Sequence, residues 1–175
     1  IWAHGTLPAA RHLATTMGLE PHRELLQLRA PLPAPTDAED PVPEGVLIRT
    51  FEPGADDAEF LRVNAAAFAW HPEQCRFSQA DLDAETAEPW FDADGFFLAV
   101  PADDPARVLG FHWTKVHPAR PPAEPEALGM IYVLGVDPAS PVRRLGGPLT
   151  AAGLRYLASL GLGAALLYVE ADNER

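Results

Sequence analysis

The stretch of this sequence best equipped for chemistry is GMIYVLGVDPASPVRRLGGPLT, residues 129–150. An apolar run enters Asp137-Pro138, a turn bearing Arg and Gly follows, and a helical pattern resumes after it. That order suits a phosphorylated ligand, because the first turn of a helix presents unpaired backbone N–H groups and a partial positive charge. Two positions spell the turn unusually. Pro141 has no N–H to donate, and Arg144 stands where a phosphate loop favours a small, permissive residue. Taken alone, the same pattern also fits an ordinary strand-to-helix crossover. The six histidines show no metal-type pairing with the single cysteine, Cys75, so no metal site is expected.

Several elements must position this turn. MIYVLGV reads as the strand that opens it, a helix is expected over about 145–160, and AALLYVEA reads as a buried strand after that. Upstream, VLIRTF, GFFLAV and RVLGFHWTKV read as strands, the last two separated by the turn-forming PADDPA. A helix is expected over 58–68, with Phe60, Leu61, Ala65 and Phe68 on one side, and a shorter one within 78–86, with Ser78 as its N-cap. Antiparallel strands in succession, then a strand–helix–strand crossover, predict an α/β fold: a mixed, mostly antiparallel sheet flanked by helices.

The region before this domain is different. Residues 31–45 crowd prolines and acids together with no apolar period, which predicts a stiff, extended linker. Ahead of it lies a helical spacing of Leu7, Ala10, Leu13, Ala14 and Met17, with Pro8 in the first turn and Gly18 past the end. RELLQLR then reads as a short strand, and the opening IWAHG is strand-like.

Composition limits the function classes. At 175 residues, 47% hydrophobic and 22% charged, the chain has length for one ordinary domain, with or without a remnant of another. A net charge of −12 argues against a nucleic acid or an anionic membrane surface as the main partner. A polyanionic ligand must then be drawn by local basic residues. One cysteine allows no intrachain disulfide, which points to the cytoplasm, and no stretch has the length and apolarity of a membrane span.

YVLGVDP, the Arg/Gly turn and LTAAGLRYLASLGLGAALLYVEADN together resemble the Gcn5-related N-acetyltransferase family, in which that turn holds the pyrophosphate of acetyl-CoA. NAAAFAWHPEQ, FHWTKVHP and LLYVEADN narrow the likeness to the branch that acetylates the cysteinyl amine of the mycothiol precursor. The resemblance implies an acetyl-CoA-dependent N-acetyltransferase acting on a small-molecule amine. It implies an acetyltransferase domain over 46–175 that lacks its last helix and strand, and a closing strand–helix–strand of a preceding repeat over 1–30. That leading unit is expected to cover the exposed sheet edge, within the chain or in a swapped homodimer, unless the missing halves of a longer chain do so.

The same resemblance implies roles for particular residues. Leu134, Gly135 and Val136 would offer backbone groups to the pantetheine arm and acetyl oxygen. The turn, with Arg143, Arg144, Leu145, Gly146 and Gly147, would take the pyrophosphate, and Asn173 would also contact acetyl-CoA. Glu73, Lys115 and Tyr168 fall where the polar acceptor is held. The family's acidic residue, the candidate base, is replaced by Met130, whose thioether cannot take a proton from an ammonium. The corresponding tyrosine acid would lie after Asn173. A rival expectation is therefore a catalytically impaired acyl-CoA-binding or interaction repeat of a larger protein.

Overall fold

The computed structural model describes residues 7–20, 22–33, 41–71, 74–122 and 124–171. The opening IWAHG, residues 34–40 of the linker, Glu73 and Asn173 lie outside the described residues. In chain order the elements are α1 Pro8–Thr16, β1 Leu25–Pro31, β2 Val46–Thr50, α2 Asp57–Ala67, α3 Gln79–Thr86, β3 Phe96–Pro101, β4 Gly110–His117, β5 Leu128–Val136, α4 Gly146–Ser159 and β6 Ala164–Glu170. The chain divides into two compact units, 29–167 and 1–28 with 168–175.

The strands order as β1-β6-β5-β4-β3-β2. Neighbours from β2 through β5 are antiparallel, and α4 carries the chain across to β6, which pairs parallel to β5. β4 shows why the larger unit folds this way. Its residues alternate between two covered faces, and Gly110 through Thr114 are all buried. Phe111 and Trp113 join a core with Phe51, Phe60 and Phe96, in which Phe96 stacks on Trp113 at 4.7 Å and Phe60 meets Phe111 edge-on at 4.8 Å. Burial of each such ring contributes about 2–3 kcal/mol. On the other face His112 and Thr114 lie under α4, where Gly153 permits close approach: a Cβ there would stand 2.2 Å from the His112 ring.

α2 corrects the expected stripe. Phe60, Val63 and Asn64 are buried, Leu61 and Phe68 are half-buried, and Ala65 is exposed. The i, i+3, i+4 spacing from Phe60 selects Val63 and Asn64. Asn64 tolerates burial because its carboxamide is paired on both sides, donating to the Gln74 carbonyl and accepting from Gln74 Nε2, each at 2.9 Å. Ser78 caps α3 through a capping box with Asp81. α4 runs between Leu145 and Leu160 with Gly161 at φ 78° just beyond.

In the smaller unit α1 begins at Pro8 and is followed by Gly18 at φ 68°, but Leu7, Leu13 and Met17 are each about 60% exposed. Ala171 N–H donates to the Glu24 carbonyl at 2.8 Å, and Arg23 is paired with Glu170. Within the larger unit, Leu32 N–H donates to the Gly163 carbonyl at 3.0 Å. β1 thus takes the sheet position beside β6.

Candidate functional site

β5 ends at a tightly organised corner. Asp137, 3% exposed, accepts from Arg62 Nη1 at 2.6 Å and from Ala139 N–H at 2.8 Å, while its carbonyl accepts from Ser140 N–H at 2.9 Å. Burial pushes the Asp137 carboxyl up, but the Arg62 and Ala139 hydrogen bonds and the charges of Arg62 and Arg107 together hold it below the usual range. Ser140 Oγ donates to the Val142 carbonyl at 3.0 Å and accepts from Val142 N–H at 3.2 Å. The first half of the turn is therefore self-satisfied, and Arg143 and Arg144 are the exposed residues that follow it.

That second half has an open, cationic surface. Arg143 and Arg144 are exposed, and Arg144 sits at φ 61°, the one positive-φ residue other than glycine among the described residues. Leu145 is buried against Leu149 and anchors the helix start. The N-terminus of α4 has no side-chain cap and no acid in its first turn, and nothing lies within 4 Å of where a Gly146 Cβ would stand. Its leading N–H groups thus lack a capping side chain, and two exposed arginines precede them in the chain, features that suit a phosphate. Pro148 contributes no donor.

The strand leading there is open on one side. The parallel register of β5 with β6 covers Gly129↔Ala165 and Met130↔Leu166 and, among the described residues, goes no further. On its other side β5 stays paired with β4, where Asp137 N–H donates to the Leu109 carbonyl at 2.9 Å. In an antiparallel ladder this bond sets the alternation. Gly135 faces Phe111, whereas Leu134 and Val136 direct their N–H and C=O groups away from β4, into the gap left by β6. A bulge between Trp113 and Thr114 leaves Tyr132 as the extra residue on β5.

Behind the bulge lies a polar cluster on an aromatic floor. Lys115 Nζ stands 3.6 Å from the Trp90 ring centre and 4.9 Å from that of Tyr132. Tyr132 O–H donates to Glu85 Oε1 at 3.1 Å. Burial lowers the Lys115 pKa against the opposing charges of Glu85 and Glu88, and burial together with Glu85 raises that of Tyr132. A cavity of about 120 Å³ adjoins the bulge, lined by Phe60, Gln74, Phe77, Trp113, Tyr132 and Val133. A larger groove of about 710 Å³ between β2 and α4 contains none of these polar groups. Met130 is buried, and His117 Nε2 approaches its Sδ to 3.0 Å. Burial, then the charges of Lys115 and Arg120, lower the His117 pKa, so the ring is neutral near pH 7.

The structure thus brings Leu134, Gly135, Val136, Arg143, Arg144, Leu145, Gly146 and Gly147 to one end of β5. Lys115 does not point into water as strand alternation alone allows; Trp90 covers it. Tyr168 belongs to the smaller unit, where it is exposed and accepts from Gln27 Nε2 at 2.7 Å. Glu73 and Asn173 are not among the described residues. Sequence did not single out Arg62, Glu85, Trp90, Tyr132 or His117. Of these, only His117 carried a signal: it lies two residues from Lys115 and so shares its face of the strand. No group of three His, Cys, Asp or Glu among the described residues is arranged to hold a metal, and no helix is long and apolar enough to cross a membrane.

No protein-family model matches the chain. It is similar to proteins named mycothiol acetyltransferase. That of Rhodococcus erythropolis is 54% identical over 173 residues, covering 99% of this chain and 57% of that protein. That of Streptomyces coelicolor is 55% identical over 174 residues, covering 99% and 53%. The chain therefore spans about half the length of the curated relatives it matches. Among solved structures, a GCN5-related N-acetyltransferase from Sphaerobacter thermophilus superposes with a TM-score of 0.63 at 22% identity, covering 97% of this chain and 49% of that one. A GNAT family acetyltransferase from Brucella melitensis, in complex with acetyl-CoA, gives a TM-score of 0.54 at 24% identity over 70% of this chain and 74% of that one. At these identities the structural matches establish the fold.

Proposed function

From a chain that has the Gcn5-related N-acetyltransferase fold and is homologous over 99% of its length to mycothiol acetyltransferases, we propose the part of such an enzyme that binds acetyl-CoA and passes its acetyl group to the cysteinyl amine of the mycothiol precursor. The observation that carries this reading is the continuity of the open edge of β5 with the uncapped start of α4. Backbone groups of Leu134 and Val136 face the gap beside β6, and the strand then delivers the chain to the N–H groups and guanidinium groups of 143–147.

The residues fit the demands of acetyl-CoA in two places. The start of α4, with Arg143 and Arg144, supplies donors and positive charge for a pyrophosphate in a protein whose net charge is −12. Leu134 and Val136 supply backbone donors and acceptors for an amide-bearing arm and for a carbonyl oxygen that gains charge during acyl transfer. Acetyl-CoA brings the activated thioester. Lys115, with Trp90 and Tyr132, offers a cation on an apolar floor suited to a hydroxyl-rich acceptor.

A second reading, an acyl-CoA-binding repeat without turnover, is favoured by one observation: Met130 places an apolar thioether where the resemblance implies a carboxylate. Two measurements on the chain separate the readings. Calorimetry is expected to show acetyl-CoA binding that weakens as salt rises, because phosphate contacts dominate; no heat at millimolar ligand removes both readings. Mass spectrometry of the precursor after incubation with acetyl-CoA is expected to show one added acetyl group, and binding without that product favours the second reading.

A further inference from the structure

We propose that the cavity at the bulge of β5 is an acyl pocket, and that it takes the alkyl tail of short-chain acyl-CoA thioesters longer than acetyl-CoA; the inference rests on the acyl-CoA binding common to both readings above. The direction of the strand puts the cavity in line. A pyrophosphate at 143–147 and an arm along Val136 and Leu134 run backward along β5, so the acyl end comes next to Val133 and Tyr132, at about 3.4 Å per residue. Those two residues line the cavity.

The bulge makes room there. In a regular strand Tyr132 and Val133 would project from opposite faces, but both pack against the core that holds Phe60 and Trp113, because Tyr132 is the extra residue between the Trp113 and Thr114 pairings. The walls are fixed by contacts of their own. Gln74 is held by two hydrogen bonds with buried Asn64, Phe77 meets Phe60 edge-on at 6.2 Å, and Tyr132 is anchored by the Trp113 ring at 5.4 Å and by Glu85 through its O–H. Protein interiors leave few voids larger than a water, so a cavity kept open by such contacts is a preformed site for a ligand group.

Its size sets the ligand class. A cavity of roughly 150 Å³ holds a benzene ring, so about 120 Å³ has room for about five carbon atoms. The methyl of an acetyl group leaves most of that space empty, whereas about three to five alkyl carbons fill it. The rings of Phe60, Phe77, Trp113 and Tyr132 suit an alkyl chain, and no charged side chain lines the cavity. The larger groove between β2 and α4 has no lining residue on β5.

The test is calorimetry of the full chain with CoA and with acetyl-, propionyl-, butyryl-, hexanoyl- and octanoyl-CoA. The Kd is expected to fall about fourfold for each methylene added from acetyl to butyryl, and octanoyl-CoA is expected to bind no tighter than hexanoyl-CoA. A Kd that stays flat or rises from acetyl to butyryl overturns the proposal, as does tightening that continues through octanoyl, which would lay the tail on an open surface. Val133→Phe fills the cavity and should abolish the gain from acetyl to butyryl while leaving the affinity for CoA itself unchanged; a gain that survives this change overturns the assignment. If that variant does not fold, Phe77→Leu widens the cavity and should make octanoyl-CoA bind tighter than hexanoyl-CoA, and a limit that does not move overturns it. Binding of acetyl-CoA without the dependence on chain length overturns this inference alone; a chain that binds neither CoA nor acetyl-CoA overturns the reading beneath it.

Discussion

Arg62 on α2 reaches Asp137 at the head of the candidate phosphate turn, Nη1 to Oδ2 at 2.6 Å, and its Nη2 also donates to the Val108 carbonyl at 2.9 Å. One guanidinium therefore joins the helix, the end of β5 and the segment before β4. Glu59 holds its far side through Nε at 2.8 Å, and in turn accepts from Val108 N–H at 3.0 Å. The turn is positioned by this network as much as by its own hydrogen bonds.

Arg62→Ala should therefore loosen the site as well as the fold. Removing one partner of a buried ion pair typically costs about 3–5 kcal/mol, but the Arg62 side chain is 41% exposed and solvent screens part of that, so about 2 kcal/mol is expected. The pH dependence has a definite sign. Asp137 has a folded pKa below its unfolded value, so its contribution is present above the unfolded pKa near about 4 and is lost as pH falls through the folded value. Urea unfolding at pH 7 should show the destabilisation, and acid titration should show the variant unfolding at higher pH than the parent. Equal acid midpoints would mean that the Arg62 contact contributes nothing.

His112 has the opposite electrostatic character. It is fully buried beneath α4, with Nδ1 donating to the Leu149 carbonyl at 2.8 Å and Nε2 without a partner among the described residues. Burial lowers its pKa to about 4, only partly offset by the Leu149 bond. The unfolded chain takes up a proton near pH about 6.5 that the folded chain refuses. Stability consequently falls as pH drops from about 6.5 toward 4, by about 2 kcal/mol at pH 5. His112→Gln keeps a donor for Leu149 and removes this titration. The loss of stability between pH 7 and pH 5, read from urea midpoints, should be about 2 kcal/mol smaller in the variant than in the parent. Parallel pH profiles would show that His112 is not the neutral buried group described.

Much of this organisation is written locally. α4 starts and stops within a residue of where its apolar period does, and Ser78 caps α3 because a hydroxyl with Asp81 three residues on satisfies two N–H groups in reciprocal fashion. The strands of the larger unit are legible because alternation and apolar runs mirror the two faces they bury. What escaped local reading depends on partners distant in sequence. Asn64 is buried because Gln74 answers it, and Lys115 is covered because Trp90 comes from a loop 25 residues earlier. The bulge that leaves Tyr132 unpaired carries no compositional mark, since one extra residue in an apolar run looks like any other. The turn's chemistry was readable from Arg143 and Gly146, but the support it draws from Arg62 was not.

The last prediction concerns Arg144, whose side chain and backbone pull in different directions. Its guanidinium is a suitable phosphate donor, yet its φ of 61° is the left-handed conformation that costs a residue with a Cβ about 1 kcal/mol. Arg144→Gly relieves that cost and gives some of it back through the greater freedom of glycine in the unfolded chain, so a net gain of about 0.5 kcal/mol is expected from urea midpoints. The same change removes a long side chain just ahead of the α4 N–H groups, and Arg143 keeps a guanidinium in place. Acetyl-CoA affinity by calorimetry should therefore rise, with a shallower dependence on salt because one cation is gone. Weaker binding with the same gain in stability would instead make Arg144 a phosphate ligand held in a strained backbone for that purpose.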